Sequence, residues 1–221
     1  MPEIIINGPE GRIEARYHQS SRPDSSIALI LHPHPEHGGT MNNKVTYALY
    51  RCFTDRGFHT IRFNFRGVGR SEGSFGDGGG ELSDAATVLD WIQQQNPEAN
   101  SFWVGGFSFG AWIGMQLLMR RPELSGYISV GPPANLYDFS FLAPCPVSGL
   151  MIQGERDAVV QKEYVQRLAE RLRLQKGISV DYRCIPGADH FFTNKLNTVM
   201  AHVNDYLGKV MGEKEMLVAN L

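Results

Sequence analysis

Two serines in this chain stand in the pattern G-x-S-x-G, which can present a serine hydroxyl at a sharp turn between strand and helix. One is Gly69-Arg70-Ser71-Glu72-Gly73, the other Gly106-Phe107-Ser108-Phe109-Gly110. The bare pattern is weak, so its surroundings decide. A nucleophilic turn needs an apolar strand running straight into it and a helix leaving at once. Trp103-Val104 leads into Ser108, and Ala111-Trp112-Ile113-Gly114-Met115-Gln116-Leu117-Leu118 leaves it. Gly106 and Gly110 have no side chains to hold strand and helix apart. Ser71 fails the test, because the run from Ser74 to Gly80 reads as a flexible loop. Ser108 is the expected nucleophile.

A serine hydroxyl is a weak nucleophile until a neighbouring base removes its proton. Seven histidines compete for that role. His18 and His59 lie in or beside predicted strands, and His202 lies on the C-terminal helix. His190, in Gly187-Ala188-Asp189-His190-Phe191-Phe192, directly follows the last predicted strand and is the expected base. The acid that orients it is expected after a strand, between serine and histidine in chain order. Asp157 meets both conditions. Its bland alternative is a helix N-terminal carboxylate. Asp138, one strand earlier, is the rival, and Asp189 is too close to His190 to fold back onto its ring.

Alternating elements must position these residues. A hairpin is predicted from Glu3–Asn7 and Arg12–Tyr17. Further strands are predicted at Ile27–Leu31, Phe58–Phe65, Phe102–Phe107, Gly126–Val130, Val147–Gln153 and Ile178–Ile185. Helices are predicted at Asn42–Arg56, Leu82–Gln95 (with Ser83 or Asp84 near its start), Phe109–Arg121 and Gln161–Leu174. The last helix carries Leu196, Val199, Met200, Val203, Tyr206, Leu207 and Val210 on one face. This alternation implies an α/β fold, a mostly parallel eight-stranded sheet with helices on both faces. Sites in such sheets lie beyond the carboxyl ends of the strands.

Acyl transfer also needs two N–H donors for the developing oxyanion. Phe109, after the nucleophile, supplies one. The other is expected from the loop after the third strand, His32-Pro33-His34-Pro35-Glu36-His37-Gly38-Gly39-Thr40. Proline has no N–H, which leaves His34 as the best-placed donor and Glu36 as the fallback. His32, His34 and His37 also raise a metal reading. The two prolines splay the side chains, and no H-x-x-x-H helix or Cys partner accompanies them. No metal and no cofactor are expected.

A chain of 221 residues suits a single domain, 1–221. With Lys plus Arg at 21 against 23 for Asp plus Glu, the net charge of -2 offers no footprint for nucleic acid or an anionic membrane. No apolar run is long enough to span a bilayer. The opening MPEIIINGPEG does not read as a secretory signal. Cys52, Cys145 and Cys184 are widely spaced, which fits reduced thiols and a cytoplasmic protein. The final segment, Gly212 to Leu221, leaves a frayed tail and a homodimer contact as alternatives.

Taken together these motifs resemble the α/β-hydrolase superfamily, over nearly the whole chain from Ile27 to the C-terminal helix. Phe63 to Gly73 looks like the superfamily's loop after the fourth strand, which is normally structural and accounts for the second G-x-S-x-G. HPHPEHGGTMNNKV, residues 32–45, is similar to a group of small bacterial predicted hydrolases, loosely related to dienelactone hydrolases and acyl-peptidase-like enzymes. Dienelactone hydrolases proper use a cysteine where Ser108 stands, so their substrate is not carried over. Many relatives insert a cap after the sixth strand. Gly131 to Pro146 is too short for one, so an open site is expected, walled by some of Phe75, Phe107, Phe109, Tyr137, Phe139, Phe141 and Phe191. The expected function is a serine hydrolase acting on a carboxylester or thioester of a small molecule through an acyl-enzyme. The alternatives are a serine peptidase of the acyl-peptidase-like kind and a non-catalytic binding protein on the same fold.

Overall fold

The computed structural model describes residues 3–218, with side chains described to Gly212. The question of tail or dimer contact in the last segment therefore lies outside the described residues, apart from the backbone helix that runs to Val218.

Strands β1 (Glu3–Gly8), β2 (Gly11–His18), β3 (Ile27–Leu31), β4 (His59–Phe63), β5 (Phe102–Phe107), β6 (Leu124–Val130), β7 (Gly149–Gly154) and β8 (Val180–Ile185) form one sheet in the order β1-β2-β4-β3-β5-β6-β7-β8. The pairs β1–β2 and β2–β4 are antiparallel, and the pairs from β4 across to β8 are parallel. In β3, IALIL is buried at every position, as a central parallel strand covered on both faces requires.

Helices α2 (Gly79–Gln95), α3 (Phe109–Leu118) and α4 (Lys162–Arg173) share one apolar core with one face of the sheet. Helices α1 (Lys44–Thr54) and α5 (Leu196–Val218) share the other. The amphipathic α1 is started by Asn43, whose Oδ1 accepts from Val45 N–H at 2.9 Å and Thr46 N–H at 3.3 Å.

Two helix boundaries depart from the sequence reading. Helix α2 begins at Gly79, inside the run expected to be loop. Glu81 causes this: its carboxylate reaches back to accept from Gly76 N–H at 2.9 Å and Gly78 N–H at 2.8 Å, closing a turn that glycine alone would leave open. Ser83 and Asp84 do not start that helix. Asp84 instead accepts from the Arg66 guanidinium in a buried ion pair of 2.8 Å. Helix α3 stops at Leu118, short of Arg121, where the N–H groups of Arg120 and Arg121 both turn to Leu117 O ahead of Pro122. The stretch 131–148 between β6 and β7 contains only turns and bends, so among the described residues it forms no cap over the strand ends.

Candidate active site

Strand β5 ends at Phe107 and α3 begins at Phe109, so Ser108 alone makes the turn. Its backbone stands at φ 53, ψ -119, a region that costs a non-glycine residue of order 1–3 kcal/mol and persists only where the surroundings hold it. Here Ser108 N–H donates to Val130 O at 2.8 Å, and Ser108 O accepts from Ala111 and Trp112. The flanking glycines are obligatory: a Cβ on Gly106 would lie 2.3 Å from Gly110 O, and one on Gly110 would lie 2.5 Å from Leu31 O and His32 O.

The loop after β8 brings His190 over this turn. His190 Nε2 lies 3.1 Å from Ser108 Oγ, and its Nδ1 lies 2.7 Å from Asp157 Oδ2. His190 is buried, and its ring packs 5.1 Å from that of Phe107. Asp157, in the turn after β7, is buried too. Its Oδ1 accepts from Val159 N–H at 2.9 Å and Val160 N–H at 2.7 Å. Helix α4 begins only at Lys162, with Gln161 as its cap, so Asp157 does not serve as that helix's cap. With the ring N–H on Nδ1 facing the carboxylate, Nε2 is left to accept the serine proton. This arrangement can raise the nucleophilicity of Ser108 and hold an imidazolium once it forms.

The loop after β3 lies beside the elbow because Leu31 pairs with Gly106. The His34 ring packs against that of Phe109 at 4.9 Å. The backbone N–H groups of His34 and Phe109 have no acceptor among the described residues. Glu36 N–H, the fallback, is taken up by His34 Nδ1 at 3.2 Å. His32 is wholly buried: Nδ1–H donates to Pro33 O at 2.6 Å and Nε2 accepts from Phe65 N–H at 3.0 Å. Burial pushes its pKa down to about 3, so the ring is neutral and ties this loop to the one after β4. No group of three or more His, Cys, Asp or Glu residues suited to a metal occurs among the described residues.

The rivals have structural partners. Ser71 Oγ donates to Asn64 O at 2.6 Å and accepts from Glu14 N–H at 2.9 Å, with the side chain buried. Asp138 is exposed and bonds Ser140, and Asp189 accepts from Thr193 N–H. Among the expected wall residues, Phe75 and Tyr137 each stand 5.9 Å from Phe109, ring to ring, and Phe191 is 58% exposed beside His190. Phe139 belongs to the core, and Phe141 packs against it.

Sequence reasoning missed two contributors. Trp112 stacks on Tyr137 at 4.3 Å and extends the aromatic wall. Gln153, buried at the end of β7, donates to Asp157 Oδ2 at 3.0 Å and to Val160 O at 2.7 Å. A polar residue closing an otherwise apolar strand, four positions before Asp157, was the available signal.

The sequence model for X-Pro dipeptidyl-peptidase (S15 family) matches residues 12–200. An uncharacterised protein of Rickettsia prowazekii, RP471, is 52% identical over 94% of this chain and 89% of its own length. The mouse lysophosphatidylserine lipase ABHD12 is 24% identical over 90% of this chain, which spans only 41% of that relative. Among solved structures, an α/β-hydrolase of unknown function from Agrobacterium tumefaciens is 56% identical, with a TM-score of 0.93 over 96% of this chain and 98% of that one. An α/β serine hydrolase without lid from Xanthomonas campestris, XC6422, is 32% identical, with a TM-score of 0.81 over 92% of each chain. The chain thus belongs to the X-Pro dipeptidyl-peptidase (S15) family and, with the Xanthomonas protein, to the α/β serine hydrolases without lid.

Proposed function

We propose that this hydrolase cleaves carboxylic esters, thioesters included, through an acyl-enzyme on Ser108. The observation that carries the reading is the unbroken hydrogen-bonded chain Asp157–His190–Ser108 at 2.7 and 3.1 Å. Ser108 Oγ attacks the carbonyl as His190 Nε2 takes its proton. Phe109 N–H and His34 N–H donate to the oxyanion. His190 then protonates the leaving group, and water resolves the acyl-enzyme by the same steps in reverse.

The S15 match and the peptidase alternative make amide cleavage a second reading. An enzyme that removes dipeptides must hold a substrate ammonium with a fixed carboxylate. The lipase activity named for the ABHD12 relatives favours esters. No helix among the described residues is long and apolar enough to cross a membrane. The free cysteines Cys52, Cys145 and Cys184 support a cytoplasmic setting, and the substrate is taken to be a small molecule.

The test is labelling with a fluorophosphonate probe, followed by turnover of 4-nitrophenyl acyl esters and glycyl-prolyl 4-nitroanilide. One adduct on Ser108, absent from Ser108→Ala and His190→Ala, with ester turnover above anilide turnover, is the expected result. An unlabelled folded protein would overturn the reading, and dominant anilide cleavage would replace it with the peptidase.

A further inference from the structure

We propose that the groove beside His190 receives the substrate's leaving group and favours one bearing an anionic substituent. This rests on Ser108 and His190 acting as described above. The groove, of about 730 Å³, runs between the segment that follows the oxyanion loop and the segment that follows His190. Asn42, Asn43 and Lys44 form one wall; Phe191, Asn194 and Asn197 belong to the other. Because His190 returns its proton to the departing atom, the leaving group must lie on the imidazole's side of the reacting carbon. Phe191, whose ring is 5.3 Å from that of His190, opens the groove on that side. The aromatic wall of Phe75, Phe109, Trp112 and Tyr137 lies over the opposite face of the sheet, the face covered by α2 and α3, and is left for the acyl group.

The one ionised side chain among the groove's lining residues is a cation. Lys44 is the only ionised side chain that lines it, and Lys44 makes no ion pair among the described residues. Behind the wall, Arg62 is buried without a carboxylate partner among the described residues. It donates from Nη1 to Asn42 Oδ1 at 2.6 Å and Met41 O at 2.5 Å, and its guanidinium stands 5.0 and 5.1 Å from the Tyr47 and Tyr50 ring centres. Asp189, on the opposite loop, spends its carboxylate on Thr193 N–H at 2.8 Å. The Asp189 carboxylate keeps its charge but is turned onto the Thr193 backbone, so on the 42–44 wall Lys44, backed by Arg62, presents positive charge to a cleft whose amides can orient a polar group.

The experiment compares 3-carboxyphenyl acetate with 3-carbamoylphenyl acetate, which share an acyl group, on the wild type and on Lys44→Gln, Lys44→Glu and Lys44→Arg. Taking the ratio of the two kcat/KM values and comparing it between enzymes cancels intrinsic reactivity. The ratio of carboxylate to amide is expected to fall about fivefold in K44Q and roughly 30-fold in K44E, and to hold in K44R. It should also fall with added salt in the wild type. The same ratio in all four enzymes overturns the inference while leaving the serine hydrolase standing. Absence of both turnover and fluorophosphonate labelling brings down the serine hydrolase reading, and the leaving-group assignment with it. Binding is read separately by NMR titration of Ser108→Ala with benzoate and benzamide. Benzoate-specific shifts at 42–45 and 193–197, lost on adding K44E, support the anion preference; their absence overturns it.

Discussion

Gln153 Nε2 donates at 3.0 Å to Asp157 Oδ2, the same oxygen that meets His190 Nδ1 at 2.7 Å. One amide thus helps to aim the carboxylate that aims the imidazole. Replacing Asp157 with Asn keeps the shape and reverses the hydrogen-bond preference, favouring the wrong histidine tautomer. The expected loss in kcat is on the order of 10⁴-fold, as for the same exchange in a serine protease. Gln153→Leu leaves the carboxylate in place but less constrained. A loss between about tenfold and a hundredfold in kcat/KM is expected, with the fold retained by circular dichroism. Wild-type kinetics in Gln153→Leu would show that the two main-chain donors from Val159 and Val160 suffice.

Ser71→Ala separates the two G-x-S-x-G copies. The buried Ser71 hydroxyl joins Asn64 O to Glu14 N–H, and its loss strands both. The expected cost is about 1–3 kcal/mol in urea unfolding. Fluorophosphonate labelling should persist, and its disappearance from a folded S71A protein would move the nucleophile to Ser71.

Neighbouring glycines should differ sharply. A Cβ at position 106 meets the backbone oxygen of Gly110 at 2.3 Å, which only a shift of strand against helix can relieve. A Cβ at position 105 meets the end of the Ile30 side chain at 3.0 Å, which can turn aside. Gly106→Ala is expected to cost about 3 kcal/mol or more, and Gly105→Ala about 1 kcal/mol. Thermal unfolding of the pair measures the contrast, and equal melting temperatures would refute it.

His32 makes stability depend on acid. Its folded pKa, near 3, lies below the unfolded value of about 6.5, so the unfolded chain binds the extra proton. The stabilisation is complete above about pH 6.5 and is lost as pH falls toward 3, by at most about 5 kcal/mol. His32→Gln removes that dependence. Urea midpoints at pH 7.5, 5.5 and 4 should show H32Q less stable than wild type at the highest pH, with the deficit shrinking as pH falls. A deficit that stays constant would mean that His32 does not titrate with unfolding.

The strands and the meeting of Ser108, Asp157 and His190 were readable because each leaves a local mark. Apolar runs such as Ile27–Leu31 end where chemistry begins, and Ser108 stands between the two glycines that its turn requires. The start of α2 was not readable, because it depends on Glu81 folding back onto glycines that look like loop. Gln153 escaped because a buried amide earns its meaning only from what it touches. The structural role of Ser71 depends on Glu14, 57 positions away, and the Arg66–Asp84 pair likewise joins the loop after β4 to helix α2. Local pattern places elements well, whereas side chains that meet across the fold leave no periodic trace.

The stretch 131–148, made only of turns and bends, bears on how rate responds to substrate supply. A lidded lipase waits for a lipid–water boundary to displace its cover, and its activity jumps once substrate aggregates. With no such cover among the described residues, dissolved substrate molecules would reach Ser108 directly. Turnover would then saturate hyperbolically, with no discontinuity at the critical micelle concentration, and the walls of the cleft alone would sort long acyl chains from short.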